Sequence, residues 1–242
     1  MPTNTFYNSI KNWDNKTWLS SSRYIHLFNK FLIKQTQLTK SSKIIDVGCG
    51  RGKILGNLFD KLKLKVKPLG IDLENHRDKN KKFIFRRIDA IIFFKQNKKK
   101  FDLILIKQTI HLLKFNEIKK LLNYCKNTLT PNGKIVIIYL DPVRNQIPTF
   151  SLMAKHLKIS LKRDQKIIKF IFRLYPQSIR KKFVFNVKIF KKKYLEMIKN
   201  RYISILLKFS NKEILKGINE IILEYKQIIK FKDKLQCIII KK

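Results

Sequence analysis

The sequence contains few acidic residues, few glycines and prolines, and only three cysteines. Its 242 residues include 16 acidic and 55 basic side chains, for a formal net charge of +39, together with 7 glycines and 6 prolines. Cys49, Cys125 and Cys237 lie far apart and lack the paired spacing of metal ligands. We therefore expect reduced thiols and no metal site.

Long apolar runs are also missing. The most apolar stretches are short, such as residues 88–94, which Asp89 interrupts, and none approaches the ~20 residues that span a bilayer. Residues 1–10 are polar and lack the apolar core of a signal peptide. These absences predict a cytoplasmic protein without a transmembrane segment. Because 44% of the residues are hydrophobic, the chain can bury a substantial core.

The positive charge comes mainly from lysine, since only ten of the 55 basic residues are arginine. Lysine, isoleucine, asparagine and phenylalanine are abundant together, while glycine, alanine and proline are scarce, which is the bias that an AT-rich genome imposes. Arginine is better suited than lysine to specific phosphate or base recognition. Composition therefore explains most of the charge. The charge remains compatible with nucleic acid or an anionic membrane surface as a partner.

The pattern of apolar and polar residues divides the chain into four regions. The first predicts a helical cap, the second alternates apolar strands with amphipathic helices, the third predicts a helical insertion, and the fourth returns to a helix and a strand. They span residues 1–40, 41–142, 143–203 and 204–242. Near-continuous apolar strands separated by helices indicate a parallel sheet that is covered on both faces.

Local signals place the individual elements. The predicted strands are residues 43–47, 67–72, 83–88, 101–107, 134–139 and 235–240, and the predicted helices are residues 23–34, 52–62, 117–129 and 211–225. Serines at residues 20–22 offer an N-cap to the first helix, and Ser210 with Glu213 indicates a capping box at the last. The Pro-Asn-Gly sequence at residues 131–133 predicts a turn before the fifth strand.

Residues 44–53 carry most of the functional information. They read IIDVGCGRGK, a buried strand that runs directly into a glycine-rich turn and a helix. Glycine tolerates positive φ and lets a ligand approach the backbone, and the N-terminus of a helix favours a carboxylate or phosphate. A P-loop is excluded, because only three residues separate Gly48 from the Gly52-Lys53 pair. A dinucleotide fingerprint is weakened, since Lys53 stands where its third glycine belongs.

This turn resembles the first motif of class I S-adenosylmethionine-dependent methyltransferases, which residues 46–52 match position by position. Asp72 ends the second predicted strand and Asp89 follows the third, at positions where that family also places acidic residues. The resemblance covers residues 40–142 well and the C-terminal region by topology. It implies a Rossmann-like sheet of seven strands, mostly parallel with the last strand antiparallel, with helices on both faces, and S-adenosylmethionine as the cofactor.

The resemblance also implies a set of cofactor-binding residues. Gly48 and Gly50 would let the backbone approach the methionine end, where Asp46 would contact the amino group or hold the loop. Asp72 would bind the ribose hydroxyls and Asp89 the adenine, although each can instead cap a helix. The remaining members of the predicted site are Cys49, Leu73, Ala90, Lys107 and Arg23. Arg23 would lie on an N-terminal helix folded over the cofactor and would clamp its carboxylate.

Catalysis and the acceptor are less well determined by the sequence. His111 follows the fourth strand at the expected mouth of the site and titrates near neutrality, which favours a general base, although it can instead cap or pack under the next helix. Trp13, Trp18 and Tyr24 would line the acceptor pocket or pack in the core. In the family, the region that corresponds to residues 143–203 commonly forms a lid over the acceptor.

The sequence after the fourth strand bears on the class of acceptor. No Asn-Pro-Pro-Tyr-like motif follows this strand, which disfavours methylation of base amino groups in nucleic acid. We therefore predict an enzyme that methylates a small molecule. The alternatives are a non-catalytic or RNA-binding protein of the same fold and an NAD-binding oxidoreductase. The sequence leaves the oligomeric state open.

Overall fold

The computed structural model describes residues 16–242, and these residues form one seven-stranded sheet. The strands are β1 (Ile44–Val47), β2 (Leu69–Asp72), β3 (Ile84–Arg87), β4 (Phe101–Lys107), β5 (Leu129–Leu140), β6 (Ile179–Phe190) and β7 (Ile228–Lys241). Their order across the sheet is β3-β2-β1-β4-β5-β7-β6. Strands β1 to β5 pair in parallel, and β7 pairs antiparallel with β5. The predicted fold class, a mostly parallel Rossmann-like sheet with an antiparallel last strand, is confirmed.

Helices precede or connect most of these strands in the described residues, whereas β2 runs to β3 without a helix. They are α1 (Ser22–Thr36), α2 (Lys53–Leu62), α3 (Ala90–Gln96), α4 (Phe115–Asn127), α5 (Ser151–Leu174), α6 (Lys191–Lys199) and α7 (Asn211–Glu224). Short 3-10 turns cover Trp18–Ser20, Ile110–Leu112 and Ser204–Lys208. The Ser21 hydroxyl accepts a hydrogen bond from the Tyr24 N–H at 3.2 Å, so one of the predicted serines caps α1. Ser210 and Glu213 form the predicted capping box of α7.

The turn predicted at residues 131–133 lies inside β5 as a bulge. Phe101 of β4 faces Leu129, whereas Leu103 faces Lys134, so β5 contains extra residues between these two pairs. Gly133 is required there, because an added Cβ would lie 2.7 Å from the carbonyl oxygen of Phe101. The strand therefore begins at Leu129, five residues before the predicted start at 134.

The prediction that residues 143–203 are a helical insertion is wrong in part, because β6 lies within them. From residue 183 to residue 190, buried apolar side chains alternate with exposed ones, which is the period of a strand that is buried on one face. The exposed face carries the apolar residues Val184 and Phe190 besides polar ones, which concealed this alternation. The first half of β7 was also missed; Ile229 and Phe231 are buried there, and each is followed by an exposed lysine.

The chain divides into two compact units. Within the described residues, the glycine-loop unit contains residues 25–140, 164–183 and 235–242, and the second unit contains residues 16–24, 141–163 and 184–234. The core of the glycine-loop unit includes Ile45 of β1, Ile104 of β4 and Ile137 of β5. The residues predicted as a lid are shared between the two units, and their role as a lid stays a prediction.

Two of the three aromatic residues considered for the acceptor pocket, Trp18 and Tyr24, are buried in the second unit. The indole N–H of Trp18 donates to the Asp233 carboxylate at 2.9 Å, and the Trp18 ring packs edge-on against Phe231 with 5.0 Å between centroids. Tyr24 is fully buried, and its ring packs against Phe185. Both residues therefore belong to the core, and Trp13 lies outside the described residues.

Between residues 16 and 242, no helix combines the length and apolar composition needed to cross a membrane. Within the same residues, Cys49, Cys125 and Cys237 are buried free thiols.

Candidate active site

The loop that follows β1 turns back across the end of the sheet through residues with positive φ. The Gly48 N–H donates to the carbonyl oxygen of Ile71 at 2.8 Å, which fixes the start of the loop against β2. Gly48 has a φ of 72°, and a Cβ at this position would lie 2.2 Å from the Thr109 Oγ1. Glycine is therefore required at position 48 both by its backbone conformation and by the close approach of the residue that follows β4.

Gly50 differs from Gly48, because its surroundings are open. Its φ is 50°, and a Cβ added to it would meet no atom within 4 Å. The Gly50 N–H donates to the Asp72 Oδ2 at 2.8 Å, so the loop is held by the carboxylate at the end of β2. The loop consequently presents bare backbone on a side that no other part of the described protein covers, which fits the close approach of a ligand.

Asp46 is a buried carboxyl group beneath this loop. Its side chain is 3% exposed, and its Oδ1 has no hydrogen-bond partner among the described residues. Burial raises the pKa of Asp46 to about 8, while the nearby Lys107 opposes this shift and the Asp72 carboxylate adds to it. A buried carboxyl oxygen without a partner is costly, and a cationic group of a ligand would remove that cost.

Two neighbours of Asp46 complete the electrostatics of this position. Lys107 is the last residue of β4, and its Nζ lies 3.3 Å from the Gln108 Oε1 and 5.8 Å from the centre of the Phe28 ring. Burial and the charges of the two aspartates raise the pKa of the Cys49 thiol. Cys49 is therefore a protonated, apolar member of the loop rather than a nucleophile.

Asp72 holds the backbone around it and keeps accepting capacity. Besides the bond from Gly50, its Oδ1 accepts from the Glu74 N–H at 3.0 Å. A carboxylate has about four acceptor positions, so these two bonds leave room for the hydroxyl groups of a ligand. Leu73, the next residue, is 42% exposed and offers an apolar surface at the same edge of the sheet.

Asp89 caps α3, as the alternative interpretation of this residue predicted. Its Oδ1 accepts from the N–H groups of Ile91 and Ile92 at 2.8 and 3.1 Å. Its Oδ2 makes no hydrogen bond to the rest of residues 16–242, so the cap does not exclude a second role. Ala90 is the first residue of α3 and is half-buried.

The segment after β4 contains two residues whose importance the sequence did not reveal. Gln108 has a φ of 53°, a conformation that non-glycine residues rarely adopt and that is commonly found at functional sites. The Thr109 hydroxyl lies 3.2 Å from the carbonyl oxygen of Val47 and 3.0 Å from that of Lys107, which ties the ends of β1 and β4 together. Residues 47 and 109 are too distant in the chain for any local signal to join them.

His111 and Arg23 have different settings. His111 is half-exposed in the 3-10 turn after β4, and it borders a small cavity that Tyr139 and Asp164 also line. Arg23 is exposed in the second unit, with its guanidinium 5.9 Å from the centre of the Phe185 ring. The catalytic role of His111 and the cofactor-binding role of Arg23 stay predictions.

The part of the sequence that forms this edge matches a known family. Residues 38–200, more than half of the chain, match the family described as methyltransferase domain. The chain belongs to this methyltransferase family. The class I methyltransferase predicted from residues 46–52, with S-adenosylmethionine as its cofactor, is confirmed, and the alternative of an NAD-binding oxidoreductase is wrong.

One viral relative of this methyltransferase shares part of its length. Protein 235L of Invertebrate iridescent virus 6, which is named as a methyltransferase, is 28% identical over 103 residues. The match covers 41% of this chain and 38% of the viral protein, so this chain spans well under half of that relative.

Solved structures of low sequence identity share the fold of this methyltransferase. A protein of Anabaena variabilis, described as a methyltransferase from an antibiotic biosynthesis pathway, has a TM-score of 0.61 at 14% identity, covering 87% of this chain and 95% of its own. A SAM-dependent methyltransferase from Archaeoglobus fulgidus has a TM-score of 0.52 at 20% identity, covering 90% and 94%. The plantazolicin methyltransferase BpumL, solved with a pentazolic desmethylPZN analogue and SAH, has a TM-score of 0.54 at 18% identity, covering 97% and 90%.

Proposed function

We propose that this methyltransferase binds S-adenosylmethionine over the glycine loop, between the ends of β1 to β4, and methylates a small molecule. The observation that carries the proposal is the combination of an open face at Gly50 with a partnerless buried oxygen on Asp46. The first admits a ligand to the backbone, and the second requires a donor. A ligand with an amino group satisfies both.

Each predicted residue has a chemical role in this proposal. Asp46 accepts a hydrogen bond from the cofactor's amino group, Gly48, Cys49 and Gly50 form the floor, and Lys107 balances the cofactor's carboxylate. Asp72 accepts from the ribose hydroxyls while it holds the Gly50 N–H. The exposed side chain of Leu73 and the residues Asp89 and Ala90 contact the adenine.

When bound, the cofactor supplies a methyl group that is already activated by its sulfonium. The protein therefore has to align the acceptor, exclude water and, where the acceptor loses a proton, receive that proton. We assign proton removal to His111, because it directly follows β4 and keeps part of its surface in solvent. Open α/β sheets bind ligands at the carboxyl ends of their strands, where His111 lies.

The small-molecule acceptor is supported by the sequence Lys-Gln-Thr-Ile at residues 107–110, which lacks the aromatic and proline residues used to hold a flipped base. Two structural relatives, a methyltransferase from an antibiotic biosynthesis pathway and the plantazolicin methyltransferase BpumL, suggest which compounds to test first.

Calorimetry with S-adenosylmethionine and S-adenosylhomocysteine tests the cofactor site. Failure of both to bind at sub-millimolar concentration would contradict the proposal. Incubation with a labelled methyl donor, pooled metabolites and RNA then tests the acceptor class. Label in the metabolite fraction supports a small-molecule acceptor, and label confined to RNA would overturn that part of the proposal.

The Asp72→Ala variant should bind S-adenosylhomocysteine about 10- to 100-fold more weakly than the wild type, because a charged hydrogen-bond acceptor contributes about 1.5–3 kcal/mol. Asp72→Asn should lose less affinity, since one oxygen can still accept from the Gly50 N–H. The matched control is Asp60→Ala, which removes an exposed carboxylate that pairs with Lys82 in the same unit. Equal affinities for Asp72→Ala and the control would contradict the assignment of Asp72 to the ribose.

A further inference from the structure

A small cavity lies against the turn that carries His111. Its volume is about 10 Å³, room for about one water molecule, and its walls are isoleucine side chains except for His111, Tyr139 and Asp164. Asp164 belongs to α5, Tyr139 to β5, and all the lining residues belong to the glycine-loop unit. The cavity is too small for an acceptor, so the acceptor has to approach His111 from outside it.

Asp164 is an unusual residue for this position. It is 9% exposed and follows the exposed Arg163 on α5. Moving a carboxylate out of water into an apolar cavity costs several kcal/mol unless a charged or hydrogen-bonding group compensates it. The titratable groups that line the cavity with Asp164 are His111 and Tyr139. Of these two, only the imidazole can become a cation near neutral pH.

His111 connects this cavity to the surface. Its ring borders the cavity, yet the residue remains half-exposed, whereas Tyr139 is 4% exposed. An imidazole has two ring nitrogens, so one can face the cavity while the other stays available outside it. This is the arrangement that a general base requires from a carboxylate partner.

We propose that Asp164 is a positioning residue that acts through His111. It holds the ring nitrogen nearer the cavity in its N–H form, directly or through one water, so that the opposite nitrogen is free to accept a proton. When the acceptor loses its proton to that nitrogen, the imidazolium forms next to the Asp164 carboxylate, which stays ionised and stabilises it. This inference rests on the proposed role of His111 as the base, and it assigns that base an orienting partner.

The coupling is measurable in the full-length protein without any acceptor. The four histidines give separate imidazole signals in a nitrogen-15 labelled sample, and a His111→Gln variant identifies the signal of His111. We expect His111 to titrate above the ~6.5 of an unperturbed imidazole, with one neutral tautomer dominant. In Asp164→Asn, its titration midpoint should fall by about one pH unit, since an adjacent carboxylate favours the charged ring.

The control variant is Asp60→Asn, which removes an exposed carboxylate from the same unit and should leave the His111 titration unchanged. A purely structural role for Asp164 would leave the His111 midpoint and tautomer unchanged in Asp164→Asn, and that result would overturn the proposal. If Asp164→Asn does not fold, the wild-type titration decides alone, since a His111 midpoint at or below the unperturbed value is incompatible with a charged partner. Asp164→Asn should bind S-adenosylhomocysteine like the wild type, so failure of the cofactor site is distinguished from failure of this inference.

Discussion

Asp46→Asn is expected to bind the cofactor more weakly than the wild type and, at the same time, to gain stability in the unliganded state. The folded protein holds a proton on Asp46 up to a pKa of about 8, whereas the unfolded chain releases it near the ordinary value of about 3.9. The folded state therefore binds more protons over this range, and its stability falls as pH rises from about 4 to about 8. Asparagine cannot ionise, so it removes this loss of stability. At about pH 8 the free energy of unfolding of the variant should exceed that of the wild type by on the order of a few kcal/mol.

Urea unfolding of both proteins across this pH range tests the stability effect. The difference between them should grow with pH and reach a plateau above the pKa of Asp46. Asp60→Asn, at an exposed ion pair, is the control and should follow the wild type. A difference that is independent of pH would contradict the burial of an ionisable Asp46.

The wild-type affinity for S-adenosylhomocysteine should itself depend on pH. Binding through the cofactor's ammonium requires an ionised Asp46, so affinity should fall up to about tenfold for each pH unit below the pKa of about 8. Proton release on binding follows from the same linkage and appears as a dependence of the calorimetric heat on the buffer. In Asp46→Asn, both the pH dependence and the proton release should vanish. A wild-type affinity that is constant with pH would exclude contact between Asp46 and the ammonium.

Gly50→Asn is expected to leave the fold intact and to abolish cofactor binding. Asparagine tolerates positive φ better than other side chains, and a Cβ at this position meets nothing within 4 Å. The new side chain would occupy the open face where the cofactor must approach the backbone. If the lost contacts contribute about 3 kcal/mol to the binding free energy, the dissociation constant rises about 100-fold or more.

Gly48→Ala is the informative comparison. Its φ of 72° is similar, but its Cβ would collide with Thr109 at 2.2 Å, so this variant should lower the melting temperature as well as the affinity. The prediction fails if Gly50→Asn binds S-adenosylhomocysteine like the wild type, or if both variants unfold at the same reduced temperature.

The parts of the fold that rest on local chemistry could be predicted from the sequence. Strand β4 has the predicted bounds, Phe101–Lys107, because its apolar run is uninterrupted by lysine. The helix cap at Ser210 was predictable because Glu213, three residues later, completes its capping box. The glycine loop was predictable because few kinds of cofactor site share its glycine spacing. These features depend on residues that are neighbours in the chain.

The features that were missed depend on distant residues or on masked periodicity. Strand β6 alternates from residue 183 onward, but the exposed basic run at residues 180–182 and the exposed apolar residues Val184 and Phe190 concealed that period. Thr109 lies against Gly48, and Asp164 lines the same cavity as His111, although more than fifty residues of chain separate the two members of each pair. No local pattern identifies such pairs, because only the sheet order brings β1, β4 and α5 into one unit.

The carboxylates at the end of the sheet stand out in a protein whose net charge is +39. S-adenosylmethionine carries one net positive charge, and S-adenosylhomocysteine carries none, so the protein's long-range field repels the methyl donor and not the product. Asp72 opposes this repulsion only at short range, and Asp46 does so only once it has lost its proton. The field is screened beyond about 10 Å at about 0.1 M ionic strength. At low salt we therefore expect the affinity for S-adenosylmethionine to fall relative to that for S-adenosylhomocysteine, and added salt should reduce this difference.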